Sequence, residues 1–269
     1  MGAIRNSFRS SKWKNTSSIS AMTFHSFQNM IVEFDKCPAL YGQQYTDILS
    51  HLLNGTLHAA ISHTRAGTEY EGLTGIVIEG PSGVGKTALI QRFAWECRNY
   101  FKVLSVSCSD LVNKVVGNSE RRIDELFAVC RNVAPAILIM ENIESLLGRV
   151  SEFGRKFTRA RDIVMDRVLS SLLVNIDGIS PSRNIRSSRT DNFSSPVIVI
   201  ATTECLAAID TSLVRPGRLE EHIFIGELTT LDRMSIIVPY LDKIELIDVT
   251  ETEKRNKFLQ TLVEMSYGW

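Results

Sequence analysis

Eight consecutive residues, Gly80-Pro81-Ser82-Gly83-Val84-Gly85-Lys86-Thr87, fit the pattern G-x-x-x-x-G-K-[ST] and follow the apolar run Ile76-Val77-Ile78. Glycines let successive backbone N–H groups turn inward around an anion, and Lys86 can reach the outer phosphates of a nucleotide. Thr87 offers a hydroxyl to Mg²⁺ and opens a helix-compatible stretch from Ala88 to Arg98, whose N-terminal dipole favours negative charge. A glycine-rich turn with no ligand is the bland alternative, but the strand–loop–helix context is the one that phosphate binding requires. These residues predict a nucleoside triphosphate site.

The elements that must position this loop alternate between two periods. Val103-Leu104-Ser105-Val106 reads as a second strand, Ala136-Ile137-Leu138-Ile139-Met140 as a buried parallel strand and Val197-Ile198-Val199-Ile200 as another. Between them, Ile123, Leu126, Phe127 and Cys130, then Val164, Val168, Leu169, Leu172 and Leu173, recur at helical spacing. An earlier helical pattern runs through Ile48, Leu52, Leu53 and Leu57, with a polar stretch from His63 to Gly75 leading into the loop strand. Strands alternating with helices predict an α/β fold, a parallel sheet with helices on both faces, whose active crevice lies beyond the carboxyl ends of the strands. After Thr230 the pattern turns helical and predicts a small appended subdomain.

Composition sets bounds. A chain of 269 residues with 44 % hydrophobic content can bury a substantial core. Lys+Arg and Asp+Glu both number 30, so net charge gives no argument for direct nucleic-acid binding. No apolar run approaches membrane-spanning length. Five scattered cysteines without C-x-x-C spacing suit small buried thiols in a reducing compartment, cytoplasmic or nuclear. Residues 1–32 lack Asp and Glu and are rich in serine, with Arg5, Arg9, Lys12 and Lys14 beside Phe8 and Trp13. That composition fits a disordered solvated tail or a mis-assigned gene start, and it also suits a mitochondrial transit peptide. Pro181 to Ser195, with Arg183, Arg186 and Arg189, reads as a mobile surface insertion.

From about Leu40 onward the chain resembles one module of the AAA clade of AAA+ ATPases, the valosin-containing-protein type. Beside the phosphate loop, the resemblance rests on Val115-Val116-Gly117-Asn118-Ser119-Glu120 and on the apolar strand ending Glu141-Asn142-Ile143-Glu144. It rests further on Asp166-Arg167-Val168, on Leu173-Val174-Asn175-Ile176-Asp177-Gly178 and on the stretch Asp210 to Leu219, with Arg215-Pro216-Gly217-Arg218 inside it. The basic insertion and the sequence around Arg215 also resemble the second ATPase domain of ribosome-maturation (spermatogenesis-associated) AAA factors. The resemblance implies a P-loop NTPase core over 33–228 followed by a partial helical lid over 229–269, truncated after Ser266-Tyr267-Gly268-Trp269. It implies ATP and Mg²⁺ as cofactors, with Leu40, Tyr41 and Gly42 near the adenine. It implies Arg215 and Arg218 as arginine fingers reaching a neighbouring subunit's nucleotide, a role worth about 10³–10⁵ in rate. Fingers acting in trans imply a ring, hexameric in this family, and a protein or ribonucleoprotein client.

The chain departs from that family where water is activated. The strand after the loop normally ends in Asp-Glu; here Glu141 and Asn142 stand there. Glu141 keeps a carboxylate for Mg²⁺ beside Thr87, whereas Asn142 cannot accept a proton, and losing a general base costs about 10²–10⁴ in rate. The sensor-one position falls on Glu204 when the sequence is read without gaps from Val199 to Arg218. Two readings stay open: Glu204 supplies the missing base from the opposite strand, or the site has decayed and only binds nucleotide. The substrate-gripping loop is altered as well, with Lys114-Val115-Val116-Gly117 in place of an aromatic before Val-Gly. Arg149, Arg155, Lys156, Arg159 and Arg161 read as a solvated loop, or as a basic run that lines a pore or touches nucleic acid.

Overall fold

The computed structural model describes residues 30–32, 34–66, 72–111, 118–147, 159–179, 196–241 and 252–266. The Lys114–Gly117 loop, Arg149, Arg155, Lys156, the whole 181–195 insertion, Tyr267–Trp269 and the first 29 residues lie outside these. Five strands form one parallel sheet: β1 Gly75–Glu79, β2 Lys102–Ser107, β3 Ala136–Glu141, β4 Val197–Thr203 and β5 Glu221–Phe224. Their spatial order is β2-β3-β4-β1-β5, which puts the strand preceding the phosphate loop inside the sheet. The helices are α1 Gln43–Leu53, α2 Ala59–Ala66, α3 Lys86–Cys97, α4 Cys108–Leu111, α5 Asn118–Val133, α6 Glu144–Leu147, α7 Arg159–Asp177, α8 Thr230–Leu241 and α9 Thr252–Met265.

The period of two along each strand divides the core between the two faces of the sheet. Val77, Leu104, Leu138, Met140 and Val199 pack with α5 and α7 through Ile123, Leu126, Phe127, Val168 and Leu172. Ile76, Ile78, Ile137, Ile139, Ile198 and Ile200 face the other way, against Leu52 of α1 and Leu89, Ile90 and Phe93 of α3. Strands covered on both faces need to be apolar throughout, which is why β3 and β4 read as unbroken hydrophobic runs. Cys97, Cys108 and Cys130 are buried free thiols, and burial raises the pKa of all three, that of Cys97 and Cys130 to about 12. They are packing groups rather than nucleophiles.

Two elements differ from the sequence reading. The helical region before the loop runs to Ala66 through a π turn at Asn54–His58, so the start of the polar stretch at His63 is helical. Strand β5 has no counterpart in the hydrophobic pattern because it is an edge strand with one buried side chain, Ile223. Met30–Val32, at the end of the serine-rich stretch, lie antiparallel along the opposite edge. Val32 N–H donates to Val103 O at 3.0 Å and Ser105 N–H to Met30 O at 2.9 Å. Beyond the sheet, α8 and α9 pack on one another through Leu241, Leu259 and Val263.

Candidate functional site

The loop Gly80–Gly85 leaves the carboxyl end of β1 and enters α3 at Lys86. Gly83 and Gly85 have φ of 84° and 95°, the left-handed region where a side chain is strained. Pro81, Ser82 and Gly83 are exposed, Val84 is buried beneath them, and Thr87 is exposed on the first turn of α3. The Lys86 ammonium curls back over the loop, donating to Gly80 O at 2.5 Å and Pro81 O at 2.8 Å. Those carbonyls occupy donors that a phosphate would take, so the amine already hangs over the cradle. The donor set fits a polyphosphate chelated to a hard cation: the backbone N–H groups of a glycine-rich turn, one ammonium, the Thr87 hydroxyl and, from β3, the Glu141 carboxylate.

Beside the loop lies the segment Leu40–Gly42. Gly42 precedes α1 with φ of 102°. The Tyr41 ring meets Tyr240 of α8 edge-on, centroids 6.5 Å apart, so the helical subdomain closes over the same corner. Helix α8 is fixed there by a reciprocal cap: the Thr229 hydroxyl donates to Asp232 Oδ2 at 2.6 Å, and Asp232 N–H donates to Thr229 Oγ1 at 3.2 Å. Tyr45, 3 % exposed, donates its hydroxyl to Val84 O inside the loop. Neither Tyr240 nor Tyr45 was marked by the sequence. The cap, Thr-x-x-Asp, was readable as a motif; nothing distinguished the two tyrosines from other core aromatics.

The ends of β3 and β4 meet the loop from the other side. Parallel pairing sets Glu79 opposite Thr203, and Gly80 N–H donates to Thr203 O at 3.2 Å. Glu79 Oε1 accepts Leu206 N–H at 2.8 Å, holding the turn after β4. Glu141 is the last residue of β3 and half-buried; Asn142 follows it, exposed, with φ of 54°. Asn142 N–H donates to Thr202 Oγ1 at 3.0 Å and Ile143 N–H to Thr202 O at 3.0 Å. The last residue of β4 is Thr203, fully buried, and Glu204 stands one step beyond it, exposed. The structure therefore gathers Gly80–Thr87, Leu40–Gly42, Glu141, Asn142 and Glu204 along one edge of the sheet.

It does not bring Arg215 and Arg218 there. The Arg218 carbonyl packs on Gly75, at the start of β1, so close that a Cβ on Gly75 would lie 1.8 Å from it. The loop departs four residues later, roughly 13 Å along the strand. The Arg218 guanidinium is held by Asp177, the last residue of α7, with Nε–Oδ1 of 2.7 Å and Nη2–Oδ2 of 2.9 Å. That bidentate bond raises the arginine's pKa further above its ordinary value. Arg215 is exposed in the same turn.

A glycine-rich cradle at the carboxyl end of an internal parallel strand, with helices on both faces, defines a P-loop nucleotide-binding fold. The family model described as "ATPase family associated with various cellular activities (AAA)" matches residues 76–227, more than half of the chain. The chain belongs to the AAA family. It is 35 % identical over 182 residues to ATPase family gene 2 protein homolog B of Bos taurus, a match covering 61 % of this chain and 23 % of that protein. It is 34 % identical over 180 residues to the cell division cycle protein 48 homolog of Archaeoglobus fulgidus, covering 67 % and 22 %. It is 35 % identical over 156 residues to the peroxisomal ATPase PEX6 of Rattus norvegicus, covering 57 % and 14 %. The match thus spans less than a quarter of the length of these curated relatives. Among the described residues, no helix is long and apolar enough to cross a membrane.

Proposed function

We propose that this chain is an ATP-binding module of a ring-forming AAA assembly, with slow turnover of its own, that lends ATP binding to the remodelling of a protein or ribonucleoprotein client. The observation that carries the reading is the cradle: Gly83 and Gly85 in left-handed conformation, with the Lys86 ammonium folded over the loop. In this reading the amides of 80–86 wrap the phosphate tail, Lys86 neutralises its outer charge, and Tyr41 with Tyr240 borders the base. Thr87 and Glu141 would hold Mg²⁺, which neutralises and orients the phosphates when bound. Arg215 and Arg218 act on a neighbouring subunit's nucleotide, Arg218 after exchanging Asp177 for that partner. The buried thiols suit a reducing compartment, cytoplasm or nucleus. Binding of a fluorescent ATP analogue with Mg²⁺ tests the reading: Lys86→Ala is expected to weaken it about a hundredfold, the loss of a charge-assisted contact. Failure of the folded wild-type chain to bind ATP or ADP removes it.

A second reading is favoured by Asn142, whose amide side chain cannot accept a proton. Here the chain is a non-hydrolysing subunit that holds ATP to stabilise the ring and supplies arginines to an active neighbour. Single-turnover hydrolysis by the isolated chain, compared with a mixture containing an active AAA partner, separates the two.

A further inference from the structure

We propose that Tyr45, in the first turn of α1, is a positioning residue for the phosphate cradle, holding the Val84–Gly85 peptide from outside and tying it to that helix; this rests on the ATP-binding reading above. An anion cradle requires its amides to face inward. The carbonyl of Val84 and the N–H of Gly85 belong to one planar trans peptide and point in opposite directions. Turning Gly85 N–H toward a phosphate therefore sends Val84 O away from it, into the protein, where it needs a donor. Tyr45 supplies that donor through its hydroxyl.

The ring is fixed by its surroundings. A Cβ placed on Gly85 would lie 3.5 Å from the Tyr45 hydroxyl oxygen, and one on Gly42 would lie 3.1 Å from ring atom Cδ2. The same position on Gly42 is 2.9 Å from Asp232 Oδ1, whose other oxygen caps α8. Two glycines with positive φ and one capping carboxylate thus leave a slot that the phenol fills. Burial, and then the Asp232 charge, raise the phenol's pKa above its ordinary value, so it stays a donor. The contrast with Lys86 gives Tyr45 its role. The carbonyls of Gly80 and Pro81 are served by an ammonium that must leave for the phosphate, whereas Val84 O is served by a group the nucleotide never touches. Its bond survives ligand binding and presets the loop.

Displacement of a fluorescent ADP analogue from the full chain tests this, with MgATP, inorganic tripolyphosphate and adenosine as competitors. Tyr45→Phe keeps the ring and removes the donor. It is expected to weaken ATP and tripolyphosphate about three- to tenfold, the worth of one hydrogen bond, and to leave adenosine within about twofold. Unchanged tripolyphosphate affinity overturns the proposal, as does an equal loss for adenosine, which marks general loosening. Wild-type protein that binds none of the competitors removes the ATP reading itself, a distinct result. If Tyr45→Phe does not fold, hydrogen exchange on the wild type replaces it. Tripolyphosphate is expected to slow exchange in the first turn of α1 together with the loop, and adenosine to leave α1 alone; no slowing in α1 overturns the proposal.

Discussion

Two neighbouring stretches of the same sheet edge carry their chemistry in different ways. The cradle after β1 is written in the backbone: positive-φ glycines, inward amides and one lysine whose only duty is charge. The ends of β3 and β4 depend on particular side chains, and there the expected carboxylate is an amide, Asn142, with Glu204 one step past the strand. Asn142 sits at φ 54°, a conformation that asparagine tolerates and that costs other side chains about 1–2 kcal/mol. The backbone at this corner suits the residue it has. Phosphate binding and water activation are therefore separable properties of one edge, and a chain can keep the first while weakening the second.

The sharpest break in that comparison is Asn142→Glu. If only water activation is impaired, restoring a base there is expected to raise turnover by about 10²-fold or more, with ATP affinity within about twofold. The left-handed strain at this position is small beside that gain. No rise in multiple-turnover phosphate release would mean that the cradle end is compromised too. The companion variant Glu204→Gln is expected to change the residual rate by less than about twofold, because Glu204 stands exposed beyond β4. A drop of tenfold or more would instead make Glu204 the substitute base.

Next in size is a change at the far end of β1. Gly75→Ala forces a methyl group into the Arg218 carbonyl, 1.8 Å away, and backbone must move to relieve it. The expected cost is about 3 kcal/mol, a fall in Tm of roughly 6–12 °C. Molecules that remain folded are expected to bind ATP normally, since the clash lies five residues before the cradle. Unchanged Tm would show that the Arg215–Arg218 turn is not seated on β1 as described.

The cradle was legible in the sequence because its pattern is local, with the spacing of glycines and Lys86 stating the geometry outright. The strands β1, β3 and β4 were legible because burial on both faces demands apolar runs, and β2 by a short alternating run. Strand β5 was not, since an edge strand with only Ile223 buried leaves no period to read. Tyr45 was not legible because its partner, the Val84 carbonyl, is backbone, and backbone hydrogen bonds leave no mark in residue type. Arg218 could be singled out by motif, but its pairing with Asp177 spans 41 positions and arises only when α7 folds back on β1.

That pair gives a smaller effect. Asp177→Asn leaves Arg218 one acceptor at that position beside the Ser212 carbonyl, and no charge partner in a part-buried setting. The expected loss of stability is about 1–2 kcal/mol by denaturant unfolding, with nucleotide affinity of the isolated chain unchanged. Weakened ATP binding by the isolated chain would mean that Arg218 acts on its own nucleotide rather than a neighbour's.

The smallest effect separates the two stretches by acid. The turn that carries Arg215 is held by Asp210, whose Oδ1 accepts Ser212 N–H at 2.8 Å. The nearby Ser212 hydroxyl, the Ser212 N–H bond and the Arg215 charge hold this carboxyl below its ordinary range against a smaller opposing effect of burial. A carboxyl lowered on folding contributes stability above its unfolded value, about 3.9, and that contribution is lost as pH falls through the folded value. Hydrogen exchange in residues 210–219 of the wild type is thus expected to speed up below about pH 4, and Asp210→Asn to erase that acid-dependent part. The cradle at 80–85 has no carboxylate of its own, and its protection is expected to stay level over the same range. Equal acid sensitivity in the two segments would mean that the cradle is held by titrating side chains after all, and the contrast between backbone-written and side-chain-written chemistry would fail.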